Sequence, residues 1–231
     1  MGEIVEFASD GRTCSGYLAA PKGGRGPGVV VIQEWWGLVP HIEDVCDRFA
    51  AAGFAALAPD LYHGKTAGEP DEAGKLVMAL RGDEAAQDIG GAASRLSAGQ
   101  PPADTRVGVV GFCVGGGLAL RAAARHASIA AAVTFYGLPR GEFDAASVHG
   151  AVLGHFAGND RSYTRDQVDD LERALRAGGA DVEVHWYDGA EHAFFNDTRP
   201  EVFAPEAARL AWSRTLAFFR SHLGDPAAPA A

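Results

Sequence analysis

Short apolar runs rich in valine, isoleucine and alanine alternate along the chain with longer stretches whose apolar positions recur at helical spacing. That alternation is the signature of βαβ units and a largely parallel sheet. Residues 3–7 and 13–19 flank the turn signal Ser9-Asp10-Gly11 and predict an opening hairpin. The run GVVVIQ, residues 28–33, lacks polar alternation until its end and predicts a strand buried on both faces. Further strands are expected at 54–58, 106–111, 129–135, 151–157 and 181–187, with helices over 41–52, 83–97, 114–126, 164–178 and 205–222. Residues 61–82 carry no strand pattern and follow a strand's carboxyl end, where crevices open in α/β sheets, so a short substrate-binding cap is expected there. The fold class is α/β: one domain over 1–223, a mainly parallel central sheet with helices on both faces. The small residues and prolines of 224–231 predict a frayed tail.

Composition narrows the function without naming it. Hydrophobic residues make up 47% and charged residues 22%, the balance of an ordinary globular protein. A net charge of −10 opposes the basic surface that nucleic-acid binding needs. No apolar run reaches the roughly 20 residues of a membrane span, and MGEIVEFASDGR lacks the build of a signal peptide. A cytoplasmic protein with no membrane partner is expected. Cys14, Cys46 and Cys113 are odd in number and widely spaced, forming neither a disulfide framework nor a metal-ligand pair.

The chemistry concentrates in RVGVVGFCVGGGLALRAAARH, a strand, a glycine-flanked turn and an alanine-rich helix. Here G-x-C-x-G stands where α/β-hydrolases carry G-x-S-x-G, with Gly111 and Gly115 the small residues that let the two backbones approach at a strained corner. The corner sets Cys113 at a helix N-terminus, where backbone N–H groups favour thiolate, the reactive form. A free cysteine taken alone is more often a small buried hydrophobe; the strand-turn-helix context makes Cys113 a nucleophile. Cys14, in an early strand, and Cys46, in a helix, have no such context and read as structural.

Chain order in α/β-hydrolases is nucleophile, acid, histidine. AVLGHFA runs into Gly158-Asn159-Asp160, and EVHWY runs into Asp188-Gly189-Ala190-Glu191-His192, so Asp160 and His192 both follow strand ends. His192 is read as the base and Asp160 as the carboxylate that orients it. Asp188 and Glu191 are rivals to Asp160, but they belong to the histidine's own loop. The other histidines fall in strands, at helix ends or in connections and read as packing or surface residues. Glu34 ends a buried strand, so it needs a partner or a raised pKa. The loop after that strand commonly supplies one oxyanion N–H and the residue after the nucleophile the other, which predicts Trp35 and Val114 as donors and sets Glu34 beside the thiol.

These residues resemble the dienelactone hydrolase (carboxymethylenebutenolidase) family. QEWWG at 33–37, APDLYHG at 58–64, GFCVGG at 111–116, FAGND at 156–160 and HWYDGAEHAF at 185–194 occur in the family's order over nearly the whole chain. The resemblance implies an α/β-hydrolase fold, Cys113 as nucleophile, His192 as base, Asp160 as orienter and Glu34 as the carboxylate contacting the resting thiol. It also implies arginines that hold a substrate carboxylate, one in the cap and one just after the histidine. Here Asn196 stands near the second place, Arg81 is the only arginine between Leu61 and Gly82, and Arg161 and Arg199 are other substitutes. Trp36, Arg81 and Phe195 are the candidate substrate-binding residues, with Trp35, Trp36 and Phe195 able to line a more apolar pocket. The expected activity is hydrolysis of a lactone or carboxylic ester through a cysteine acyl-enzyme, with no metal or organic cofactor implied. The partner is then a small-molecule ester or lactone, and the protein a monomer or small homo-oligomer. The alternative is a non-catalytic homologue that binds a small carboxylic acid or lactone.

Overall fold

The computed structural model describes residues 1–98 and 106–224. All but the first residue of the tail expected at 224–231 therefore lies outside the described residues. Asp10 and Gly11 both take positive φ, 45° and 77°, as the tight turn of a two-residue hairpin requires. They join β1 (Glu3–Ser9) to β2 (Arg12–Ala19) in antiparallel register, Ser9 opposite Arg12.

The remaining strands follow in chain order: β3 (Gly28–Ile32), β4 (Ala55–Pro59), β5 (Val107–Phe112), β6 (Ile129–Phe135), β7 (Ala151–Ala157) and β8 (Asp181–Tyr187). One eight-stranded sheet results, ordered β1-β2-β4-β3-β5-β6-β7-β8. β2 meets β4 antiparallel, and every pair from β4 to β8 is parallel. The mainly parallel sheet expected from the sequence is thus the observed one. From β3 the chain steps outward to β4 and then crosses back to β5 on the other side. The reversal leaves a crevice outside the carboxyl ends of β3 and β5, where ligands sit in such sheets.

Helices α1 (Pro40–Ala51), α2 (Pro70–Ala79), α3 (Gly82–Ser97), α4 (Val114–Arg125), α5 (Arg165–Ala177) and α6 (Pro205–Leu223) complete the chain with a 3-10 turn at Ala145–Ser147. β3 explains the two layers: Val29 and Val31 face one core with α1 and α6, Val30 and Ile32 the other with α3 and α4. All five residues of β3 are buried, the pattern of a strand covered on both sides. The sequence reading had no helix at α2. Pro70 at its start with Asp71 and Glu72 in the first turn fits a helix N-terminus. Ala73 is the one buried residue of α2, however, so its apolar stripe is too thin to stand out. No helix among the described residues is long and apolar enough to cross a membrane.

Candidate active site

β5 delivers Cys113 to the sheet's carboxyl edge, where its backbone sits at φ 56° and ψ −120°. That φ is sterically costly for a residue with a Cβ and persists only where the surroundings impose it. They do so closely: the Cys113 N–H donates to the Phe135 carbonyl at 3.0 Å, and its own carbonyl accepts from the Gly116 N–H at 3.0 Å. A Cβ on Gly111 would lie 1.9 Å from the Gly115 carbonyl oxygen, and one on Gly115 would lie 2.4 Å from that of Gln33. Both flanking glycines are therefore steric necessities of the corner, as the motif predicts. α4 starts at Val114, so the thiol stands at its N-cap.

His192 reaches the same place from the loop after β8. Its Nδ1 is 2.6 Å from Asp160 Oδ2, and its ring interacts electrostatically with the Cys113 thiol. With Nδ1 given to the carboxylate, Nε2 is the nitrogen left to face sulfur. Asp160, just past β7, has a side chain with no solvent exposure and accepts the Ser162 N–H at 2.8 Å. Burial raises the Asp160 carboxyl, but the bonds from His192 and the Ser162 N–H outweigh it and hold it below the usual range. Burial depresses the His192 imidazole, yet the bond to Asp160 and the interaction with Cys113 prevail and push it up to about 10. Asp188 instead pairs with Arg165 at 3.2 Å in solvent and Glu191 is exposed, so neither rival orients His192.

The three groups open into a cleft of about 410 Å³ lined also by Glu34, Trp35, Val114 and Tyr136. Trp35 and Val114, the expected oxyanion donors, both line it. Among the described residues five non-glycine positions have positive φ, and Cys113, Tyr136 (42°) and Ala193 (64°) all line this cleft. Strain gathers where function does. Glu34 is 2% exposed, and its two oxygens are engaged: Oε1 accepts the Tyr136 hydroxyl at 3.2 Å and Oε2 the Asn196 amide at 2.8 Å. The hydrogen-bond donors found to Glu34 among the described residues are thus Tyr136 and Asn196, not the thiol. Burial and the Glu34 charge hold the Tyr136 hydroxyl well above its usual value, so it stays a donor.

Three expected substrate-binding residues lie off the lining. Phe195 is 2% exposed and stacks on Phe112 with centroids 5.3 Å apart, because its apolar ring has a place in the core beneath the cleft. Trp36 stands edge-on to Trp35 at 4.9 Å and accepts the Ala67 N–H on its carbonyl, tying down the following segment. Arg81 is exposed and paired with Glu84 at 3.0 Å. No residue of 61–82 lines the cleft. Of the substitute arginines, Arg199 is on the lining and Arg161 is not, while Arg140 is a lining residue that the sequence reading missed. Its signal was positional: Tyr136 and Arg140 lie in the loop leaving β6, a strand end like the others. Cys14 and Cys46 are buried, and burial pushes their thiols up, Cys14 to about 11.

A family model described as the dienelactone hydrolase family matches residues 14–223. The protein usf of Aquifex pyrophilus is 41% identical over 231 residues, covering 96% of this chain and 100% of that one. A protein provisionally named carboxymethylenebutenolidase from Aquifex aeolicus strain VF5 is 36% identical with the same coverage. A solved structure provisionally designated dienelactone hydrolase, from Klebsiella pneumoniae subsp. pneumoniae MGH 78578, superposes with a TM-score of 0.84 at 31% identity, covering 96% of this chain and 100% of that one. Together with the eight-stranded sheet, these likenesses establish that the chain belongs to the dienelactone hydrolase family, hydrolases of carboxylic esters built on the α/β-hydrolase fold.

Proposed function

We propose that the protein opens a lactone or cleaves a carboxylic ester through a thioester formed on Cys113. The observation that carries the reading is that Cys113 and His192 line one cleft, with His192 Nδ1 2.6 Å from the Asp160 carboxylate. Cys113 acts once its thiol proton has passed to the His192 imidazole, whose protonated form its neighbours favour up to about 10. The thiolate attacks the acyl carbon, and the carbonyl oxygen takes the negative charge under the Trp35 and Val114 N–H groups. As the tetrahedral adduct collapses, the C–O bond breaks and His192 Nε2 gives its proton to the leaving oxygen. The now neutral imidazole takes a proton from water, whose oxygen attacks the thioester. Collapse of that second adduct expels the thiolate and releases the acid, and the imidazolium is restored.

Mass spectrometry of the protein mixed briefly with a small aryl ester tests this. An acyl adduct on the peptide carrying Cys113 is expected during turnover, and turnover without such an adduct, or turnover that survives Cys113→Ala, overturns it.

A further inference from the structure

Cys14, His63 and Asp88 stand far apart in the chain and come from β2, the loop after β4 and α3. Their ligand-type atoms all lie within 4.8 Å of one another. Asp88 is the hub: its side chain is 2% exposed, and Oδ1 accepts Ser9 Oγ at 2.7 Å, Arg12 Nη2 at 3.0 Å and Cys14 Sγ at 3.2 Å. Those bonds explain Oδ1. His63 is turned toward the other oxygen, with Nε2 3.7 Å from Oδ2, an ion pair only when the imidazole is protonated. That separation is too long for a hydrogen bond.

Two donors on one tetrahedral zinc ion, at the usual Zn–N, Zn–O and Zn–S lengths, stand about 3.3–3.6 Å apart. The 3.2 Å from Cys14 Sγ to Asp88 Oδ1 and the 3.7 Å from His63 Nε2 to Asp88 Oδ2 lie close to that spacing, sulfur and imidazole each beside one oxygen of the carboxylate. His63 is held to this pose at some cost. Its φ is 52°, and the Asp60 carboxylate fixes the turn around it by accepting the Tyr62 and Gly64 N–H groups. The Arg12 guanidinium shows that the pocket favours a positive charge against Asp88, and at 42% side-chain exposure it is free to swing into water.

We propose that Cys14, His63 and Asp88 form a three-ligand site for a divalent cation of the zinc type, with water completing the coordination. Sulfur, imidazole and carboxylate together are a zinc donor set. Binding replaces the S–H bond of Cys14 by a metal–sulfur bond and releases the proton to solvent, and the ion takes the place of Arg12. By joining hairpin, loop and α3, it fastens the antiparallel edge of the sheet to the helix layer.

The test uses the full chain stripped with a chelator and titrated with Co²⁺ and Zn²⁺. One Co²⁺ per chain is expected, with the intense visible bands of tetrahedral coordination and a thiolate charge-transfer band in the near ultraviolet, displaced by Zn²⁺. Cys14→Ser and His63→Ala should each weaken binding by at least about tenfold, since even partners that only orient a ligand cost that much. Arg12→Ala should tighten it, and Cys113→Ala should leave it unchanged. His63 is 53% exposed, so its variant reports even if Cys14→Ser folds poorly. Failure to bind either ion, binding indifferent to His63→Ala, or binding lost in Cys113→Ala overturns the proposal.

Discussion

The molecule assembles a cysteine, a histidine and an aspartate twice, and the order in which the groups touch sets the two places apart. In the cleft the imidazole is central, its Nδ1 2.6 Å from Asp160 and its ring on the same lining as Cys113. On the hairpin side the carboxylate is central, with Cys14 at 3.2 Å and His63 at 3.7 Å on either side of it. A central imidazole can pass a proton between its neighbours. A central carboxylate offers instead a focus for cations, as the Arg12 guanidinium at 3.0 Å shows. The backbones differ as well: Cys113 is lifted out of its strand at φ 56°, whereas Cys14 lies within β2, paired with Phe7. On these two proposals, the same side chains serve as a nucleophile's set in one setting and as a chelate in the other.

The sharpest break between the two is the thiol itself. Cys113→Ala is expected to lower kcat/KM for a small aryl ester by about 10⁴-fold or more, the scale on which nucleophile removal acts. Cys14→Ala should leave it within about twofold, because changes at distant, independent sites rarely couple. Ester kinetics on the two variants decide it, and comparable losses would dissolve the contrast. A thiol alkylator applied to the folded protein at neutral pH should mark Cys113 and spare Cys14 and Cys46, whose thiols burial holds up. Peptide mapping reads the outcome.

The two aspartates come next. Asp160→Asn removes the larger of the two interactions that hold the proton on His192, and a loss of about 10²–10⁴-fold in kcat is expected with the fold retained. The pH profile carries the sign. His192 is raised from 6.5 to about 10, so the stabilisation it brings is fully present below 6.5 and is lost as pH rises through about 10. Activity that needs its proton for the leaving oxygen should fall over the same upper range, and in Asp160→Asn that descending limb should move to lower pH. Asp88→Asn should do the reverse: turnover within about twofold, but stability lowered by about 1–3 kcal/mol in urea, because buried donors lose a charged acceptor. Equal effects on both properties from both variants would show that the sites are not separate.

The cleft was more legible in sequence than the hairpin site, for a physical reason. Gly111 and Gly115 are demanded by backbone contact at a corner, so the corner is written locally, and Asp160 and His192 follow strands whose apolar runs are visible. Cys14, His63 and Asp88 meet only because β2 pairs with β4 and α3 packs over the hairpin, which no local spacing encodes. Phe195 shows the opposite error. It follows the catalytic loop closely enough to suggest substrate contact, yet the aromatic layer of Phe112 and Phe135 claims it for the core. Glu34 reads in sequence as a carboxylate needing a partner, but Tyr136 and Asn196 are tertiary neighbours, and only the fold reveals them as its donors.

The smallest expected effect separates two arginines. The resemblance to the family points to a cation in the segment 61–82, and Arg81 is the only arginine there, yet it is 76% exposed and paired with Glu84. An exposed pair of that kind contributes about 0–1 kcal/mol to stability. Arg140 instead lines the cleft with Cys113. If the cleft holds an anionic ester, the guanidinium that meets its carboxylate must reach the lining, and a hydrogen bond to a charged group in partly exposed surroundings is worth about 1.5 kcal/mol, close to tenfold in KM. Arg140→Ala should therefore raise KM about tenfold for an ester bearing a carboxylate while leaving a neutral ester of the same size unchanged, with kcat little altered for both. Arg81→Ala should change neither. A KM rise for the charged ester in Arg81→Ala alone would return substrate recognition to the 61–82 segment and require it to move over the cleft.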